Sequence, residues 1–369
     1  MKISIGSKFY DNPWGGGNFF IKNLSDYLAS EGYEIRFDLL EKDLDIILLI
    51  DPRVSSQNST FSHKDILRYK KYVNPNVKVV HRINECDQRK NTKGVNLFYI
   101  EANKVADHTV FVSNWLREIY QKDGYKSLSF SVIMSGSDDL IFNNKEFKNW
   151  NRENKFKLVT HHWGNNLNKG YQVYKKIDRL LDDPFWNEKI EFTFIGNLHK
   201  SIKFNNVKHV SPLAGLNLAR EIKKNNAYIT ASVNEPSGNH HIESSQCGLP
   251  LLYVNSGGIP EFASNYGIEF TEDNLEEKIL YLMNNYSEYF ELMKLYPFNS
   301  VKMCKDYEKL FLDITNRKVD SRKTIKQNKI FFKTIYRLKI IFKFNTFFKY
   351  FYKNYLRILF ILSKNKESL

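Results

Sequence analysis

Apolar runs alternate with amphipathic stretches over residues 1–315, in the order strand, helix, strand. Lys2-Ile-Ser-Ile reads as a strand, Trp14-Gly-Gly-Gly-Asn18 as a glycine turn, and 19–30 as an amphipathic helix ending near Gly32. Asp45-Ile-Ile-Leu-Leu-Ile50 carries a continuous apolar run after Asp45, the pattern of a parallel strand buried on both faces. Val77-Lys-Val-Val80 is similar and ends at His81; 101–106 is helical, and Thr109-Val-Phe-Val-Ser113 is a strand. The polar stretch 143–154 predicts a linker. The alternation restarts with strand 156–160, helix 171–181, strand 191–195 closed by Gly196, and helix 218–224. Helices at 276–285, 287–295 and 303–314 follow. Strand–helix alternation of this kind predicts doubly wound parallel sheets. The chain is long enough for two such domains, each with its own core.

The densest chemistry lies at 227–261. Ala227-Tyr-Ile-Thr-Ala-Ser232 reads as a short buried strand. Glu235-Pro-Ser-Gly-Asn-His-His-Ile-Glu243 follows it, then Cys247-Gly-Leu-Pro250, an apolar strand at 251–254, and Ser256-Gly-Gly-Ile-Pro-Glu261. Ser237 or Asn239 suits the N-cap of a helix of about two to three turns. Gly248 and Pro250 stop that helix. One glutamate then sits in the loop at the strand's end, and the other on the helix. The helix N-terminus between them offers free N–H groups and a positive dipole end to an anion. A polyol beside a diphosphate would suit this set.

The string resembles the donor-site signature of retaining GT-B glycosyltransferases of the family 4 type. That signature is Glu, seven residues, Glu, then Gly-x-Pro, then Gly-Gly-x-x-Glu. Gly257 and Gly258 are followed by Ile259, Pro260 and Glu261, so the last glutamate falls one position nearer than in the commonest form. The resemblance implies an α/β fold with two Rossmann-like domains facing a cleft: 1–150 on the acceptor side and 151–300 on the donor side. Residues 301–320 would be a closing helix that crosses back onto the first domain. The implied activity is transfer of a sugar, with retention, from a nucleotide-diphosphate-sugar to a hydroxyl acceptor in glycan or glycolipid synthesis. Glu235 would lie against the sugar ring, Glu243 would hold the ribose hydroxyls, and Lys169 would take the diphosphate charge. Ser237, Gly238 and Asn239 would line the donor site, with Gly196 beyond them. No cofactor and no metal are expected.

Other residues gain meaning from this. Gly15, Gly16 and Gly17 open the first helix, where glycines let backbone approach a phosphate; in the family such a loop faces the donor phosphate and acceptor. Asn165-Asn-Leu-Asn-Lys-Gly170 matches the family's Lys-Gly at Lys169, but Gly164 stands where an arginine is usual. His162 is the candidate substitute. A histidine near the donor sugar is implied at the end of the 77–80 strand; His81 is the candidate, with Arg82 and Asn84 as alternatives. Ser113 either matches a family serine or caps the helix that follows. His240-His241 lacks the spacing of a zinc site.

Charge sharpens the picture at one end only. Residues 321–369 hold 13 Lys or Arg and one acid, +12 of the chain's +14. Bases at 326, 329, 333 and 337 step by three or four, with Phe331, Ile335, Leu338 and Phe342 roughly opposite. This predicts a basic amphipathic tail for an anionic membrane surface, on a cytoplasmic protein peripheral to the inner membrane face. Nucleic acid is the rival partner, set aside because 1–320 carries no recognition motif. A degenerate nucleotide-sugar-binding relative, epimerase-like or phosphorylase-like, is the rival activity. Three widely spaced cysteines point to a reducing compartment.

Overall fold

The structure is a computed structural model and describes residues 1–8, 15–316 and 336–337. In the described residues β1 (Lys2–Ile5), β2 (Glu34–Arg36), β3 (Ile46–Leu49), β4 (Lys78–Ile83), β5 (His108–Phe111) and β6 (Phe130–Val132) form one parallel sheet, ordered β2-β1-β3-β4-β5-β6. A second parallel sheet holds β7 (Phe156–His162), β8 (Ile190–Gly196), β9 (Lys208–Val210), β10 (Ala227–Thr230), β11 (Leu251–Tyr253) and β12 (Gly267–Glu269). Its order is β12-β11-β10-β7-β8-β9. Strand order reverses between β1 and β3 in the first sheet, and between β7 and β10 in the second. The crevice outside the carboxyl ends of the strands at such a reversal is where open α/β sheets take ligands.

The helices of the first half are α1 (Gly15–Ser30), α2 (His63–Tyr72), α3 (Asp87–Lys90), α4 (Val95–Asn103) and α5 (Asn114–Lys122). Those of the second are α6 (Tyr171–Leu180), α7 (Pro184–Lys189), α8 (Gly215–Ile222), α9 (Asn239–Gln246), α10 (Ile259–Ala263), α11 (Leu275–Asn284), α12 (Tyr286–Met293) and α13 (Ser300–Thr315). The inner strands are largely apolar because both faces of each sheet are covered there, while the edge strands β2 and β9 are polar and partly exposed. Ile46, Leu48 and Val80 pack under α1 and α13, while Ile47, Leu49 and Val79 pack under α2. In the second sheet Leu158, Phe194 and Ile229 face α6, and Val159, Ile195 and Tyr228 face α8. Helix α13 follows the second sheet in the chain yet packs on the first. Its Met303, Tyr307 and Phe311 join the α1 core, and Glu308 accepts from the Tyr27 and Tyr33 hydroxyls at 2.8 Å each.

Three local expectations change. The glycine trio is not a turn before α1 but its first turn, since the helix begins at Gly15. The helix expected at 101–106 starts earlier, at Val95, because the Asp87 carboxylate accepts from the Val95 and Asn96 N–H groups and fixes its N-terminus. The N-cap of α9 is Gly238, at φ 78°, rather than Ser237 or Asn239. No side chain caps α9, so its first N–H groups remain available to a ligand.

The basic tail at 321–369 lies outside the described residues, apart from Tyr336 and Arg337. Tyr336 is 2% exposed and packs with Leu39, Phe61, Ile66 and Tyr69 of the first domain. Among the described residues no helix is long and apolar enough to cross a membrane.

Candidate active site

The reversal between β7 and β10 gathers the second-sheet half of the site. β7 ends at His162, and a short turn at Leu167–Lys169 leads into α6. β10 runs into the loop that carries Glu235, and the two loops are tied by the Val233 N–H to the Asn168 carbonyl at 2.7 Å. Lys169 Nζ therefore reaches Glu235 Oε2 at 2.5 Å, with both side chains at most a tenth exposed. The Gly257-Gly258 turn after β11 seats Glu235 from beneath: the Gly258 N–H donates to the Glu235 carbonyl at 2.8 Å. Gly257 has φ 67°, and a Cβ there would come within 2.4 Å of that carbonyl oxygen. A side chain at 257 would thus push Glu235 out of place. Glu243 projects from α9, and its Oε2 accepts from His161 Nε2 at 2.9 Å. Ser237 is buried with its Oγ unpartnered, on the same wall.

The first sheet supplies the facing half. Short helix α3 lies at the end of β4 and sends Arg89 across to Glu235, with Nε to Oε1 at 3.2 Å. The Arg89 carbonyl also accepts from Asn168 Nδ2 at 3.0 Å. Glu235 is thereby shared by two cations from two domains. Behind Arg89, Glu85 collects Lys90 at 2.9 Å and Arg53 at 3.9 Å. Gly16, Gly17, Phe19, Arg82, Asn84 and Ser135 complete this wall. Gly16 abuts Asn239, so the N-termini of α1 and α9 approach each other across the gap. The cleft between the walls has a volume of about 300 Å³ and, among the described residues, is lined by four cations, Arg82, Arg89, Lys90 and Lys169, against two carboxylates, Glu235 and Glu243. A surplus of positive charge between two helix N-termini suits a bound polyanion.

Electrostatics separates the charged groups from the neutral ones. Burial alone would raise the Glu235 carboxyl, but Lys169 and Arg89 outweigh it and hold it far below the usual carboxylate range. His162 behaves in the opposite way: burial, then the nearby Lys169 charge, push it well below its ordinary value. The Tyr174 hydroxyl accepts from the Ala231 N–H and lies 2.9 Å from His162 Nε2, so that nitrogen accepts in turn. His162 is a neutral histidine and not a substitute for the missing arginine; the second cation here is Arg89. Nothing near Lys169 in the sequence signals this, because the arginine belongs to the other domain. The visible trace is the basic pair Arg89-Lys90 just past a buried strand's carboxyl end. His240 and His241 are likewise buried, bonded to Thr230 Oγ1 at 2.8 Å and to the Ser237 carbonyl at 2.6 Å.

His81 is absent from the cleft lining. It shares the parity of Val79 and points under α4, where its Nδ1–H donates to Asn103 Oδ1 at 2.8 Å and its ring stacks on Tyr99. Burial pushes it down to about 4. The two alternatives, Arg82 and Asn84, share the other parity and line the cleft, as do Gly16, Gly17, Gly196, Ser237, Gly238 and Asn239. Ser113 is the N-cap of α5, accepting from the Leu116 N–H at 3.3 Å.

Glu261, the last glutamate of the motif, bonds to the first domain. Its carboxylate accepts from the Asn114 N–H at 2.8 Å and the Trp115 N–H at 2.7 Å, closing the N-terminus of α5 from 146 residues away. This is helix capping across the interdomain gap. Glu261→Ala is expected to cost about 0.5–2 kcal/mol of stability and to enlarge the radius of gyration measured by small-angle scattering. An unchanged radius would mean that the contact does not hold the domains together.

No protein-family model matches the chain, and no curated protein does. Solved structures do. HepE from Anabaena, solved with UDP and glucose, superposes with a TM-score of 0.61 at 13% identity, over 85% of this chain and 100% of HepE. Sucrose-phosphate synthase from Thermosynechococcus elongatus gives 0.58 at 13% identity, over 85% and 98% of the two chains. An alpha-glucosyltransferase solved with UDP and a 13-mer DNA gives 0.58 at 13% identity, over 85% and 99%. The two parallel sheets and the helices that cover them are thus those of GT-B glycosyltransferases, and the chain has the GT-B fold.

Proposed function

We propose that this protein transfers a sugar, with retention, from a nucleoside-diphosphate-sugar to a hydroxyl of a glycan or glycolipid. The observation that carries this reading is the clamp of Lys169 and Arg89 on Glu235 beside the uncapped N-terminus of α9. In that cleft the diphosphate lies between Lys169 and the α9 N–H groups, which stabilise the charge that grows on it as the glycosidic bond breaks. Glu235, held ionised, faces the sugar ring. Glu243, oriented by His161, accepts from the ribose hydroxyls. Arg89 restores the positive charge that the loop before Lys169 lacks, which weighs against a degenerate site. HepE, solved with UDP-glucose, shows that the fold accommodates such donors.

The test is incubation of the full-length protein with a panel of nucleotide-sugars and hydroxyl acceptors, with the anomeric configuration of the product read by NMR. A product with the donor's configuration is expected, and an inverted product or no consumption of any donor contradicts the reading. Glu243→Ala is expected to weaken nucleoside-diphosphate binding by about 1.5–3 kcal/mol, roughly ten- to a hundredfold. Calorimetric affinity equal to wild type would remove Glu243 from the site.

The basic tail is proposed to hold the enzyme on the cytoplasmic membrane face, where each base near an anionic leaflet is worth about 1 kcal/mol. Full-length protein should sediment with anionic vesicles and much less with neutral ones or in high salt. Equal sedimentation with both vesicle types would sink this assignment.

A further inference from the structure

We propose that Arg82, with Asn84 and Ser135 beside it, forms a subsite for an anionic group, phosphate or carboxylate, carried by the acceptor. This rests on the transferase reading above. A guanidinium cannot shed its charge inside a protein. Burying one is unfavourable unless a counter-charge meets it. Arg82 is 5% exposed, and its Nη1 is sealed from solvent without a hydrogen-bond partner. Among the described residues no carboxylate pairs with it. Arg53 and Arg89, by contrast, are each paired with carboxylates. What Arg82 has is the face of Phe20, 3.9 Å from its guanidinium carbon, and the neutral hydroxyl of buried Tyr307 beside it. A ring face compensates a charge only in part.

Its position supplies the reason to keep it. The side chain lines the cleft with Asn84, Ser135, Gly16 and Gly17. Phe20 lies in the first two turns of α1, so the guanidinium sits close to that helix's N-terminus, and α1 is 16 residues long. Two positive sources therefore converge on one part of the first-domain wall, with no carboxylate among the described residues to pair with Arg82. The second-domain wall has its own cation for a diphosphate in Lys169, and Arg89 is engaged with Glu235. Arg82 is left for the substrate that enters from the first-domain side, which in this reading is the acceptor. The unpaired charge then selects anionic acceptors over neutral ones.

The test uses full-length protein saturated with the nucleoside diphosphate that it binds best, titrated by calorimetry with inorganic phosphate and separately with acetate. The saturated wild type is expected to bind phosphate. Arg82→Met should weaken that binding by about tenfold or more, and Arg82→Lys should retain part of it. Both variants should keep wild-type affinity for the nucleoside diphosphate, and Arg82→Met should melt no lower than wild type, since Met fills much the same space without a buried charge. Undiminished phosphate affinity in Arg82→Met overturns the proposal, as does a saturated wild type that takes up neither anion. A parallel tenfold loss of nucleoside-diphosphate affinity also overturns it, because Arg82 would then serve the donor. If wild type binds no nucleoside diphosphate at all, the transferase reading fails first and this inference falls with it.

Discussion

Lys169→Ala is expected to lower kcat/KM for the donor by about 10²–10³-fold, the usual cost of removing one fixed group from developing charge. The loss should fall mainly on kcat, because the leaving diphosphate gains charge in the transition state and Lys169 binds that state more tightly than the ground state. Stability should change less than turnover: Glu235 keeps Arg89 at 3.2 Å as a partner when Lys169 is gone. Lys169→Arg should recover part of the rate, since the charge is retained. Wild-type turnover in Lys169→Ala would show that the diphosphate is held elsewhere, with Arg82, Arg89 and Lys90 the other cations that line the cleft.

Glu235→Gln is expected to destabilise the fold by about 3–5 kcal/mol at neutral pH, because it leaves two partly buried cations facing each other. Denaturant titration measures this directly. The pH dependence carries a sign. Lys169 and Arg89 hold the folded-state pKa of Glu235 below the ordinary glutamate value of 4.5. Its contribution is therefore fully present above that value and is lost as pH falls through the folded pKa. Wild-type stability should decline below about pH 4.5 more steeply than that of Glu235→Gln. A diphosphate placed between the same cations should restore stability to the variant, so nucleoside diphosphate should raise its melting temperature more than that of wild type. Equal stability of variant and wild type across this range would mean that the Lys169–Glu235–Arg89 set carries no net energy.

Much of this site is legible from residue order, for a definite reason. The strands that bear it are continuous apolar runs, and Glu235 and Glu243 are placed by a strand end and a short helix that Gly248 stops at φ 93°. Those are local matters. Two kinds of fact are not local. In a strand covered on both faces, apolar residues on each side look alike, so periodicity gives no parity. His81 and Arg82 therefore compete on equal terms until Val79 and Val80 are seen to face different helices. Contacts across the cleft are the other kind. Arg89 meets Glu235, and Glu261 meets the start of α5, between segments about 146 residues apart. The missing arginine before Lys169 looks like a defect when only neighbours in sequence are considered. Once the two domains face each other, Arg89 supplies a second cation beside Glu235.

The crevice at the ends of β7 and β10 is proposed to bind a nucleoside diphosphate through Lys169 and Glu243. The most direct measurement is isothermal calorimetry of the full-length protein with UDP, GDP, ADP, CDP and dTDP, repeated on Lys169→Ala and Glu243→Ala. One nucleotide should bind with a stoichiometry of about one per chain, and each substitution should weaken it by about tenfold or more. Binding of no nucleoside diphosphate, or binding that both variants retain in full, would contradict the account.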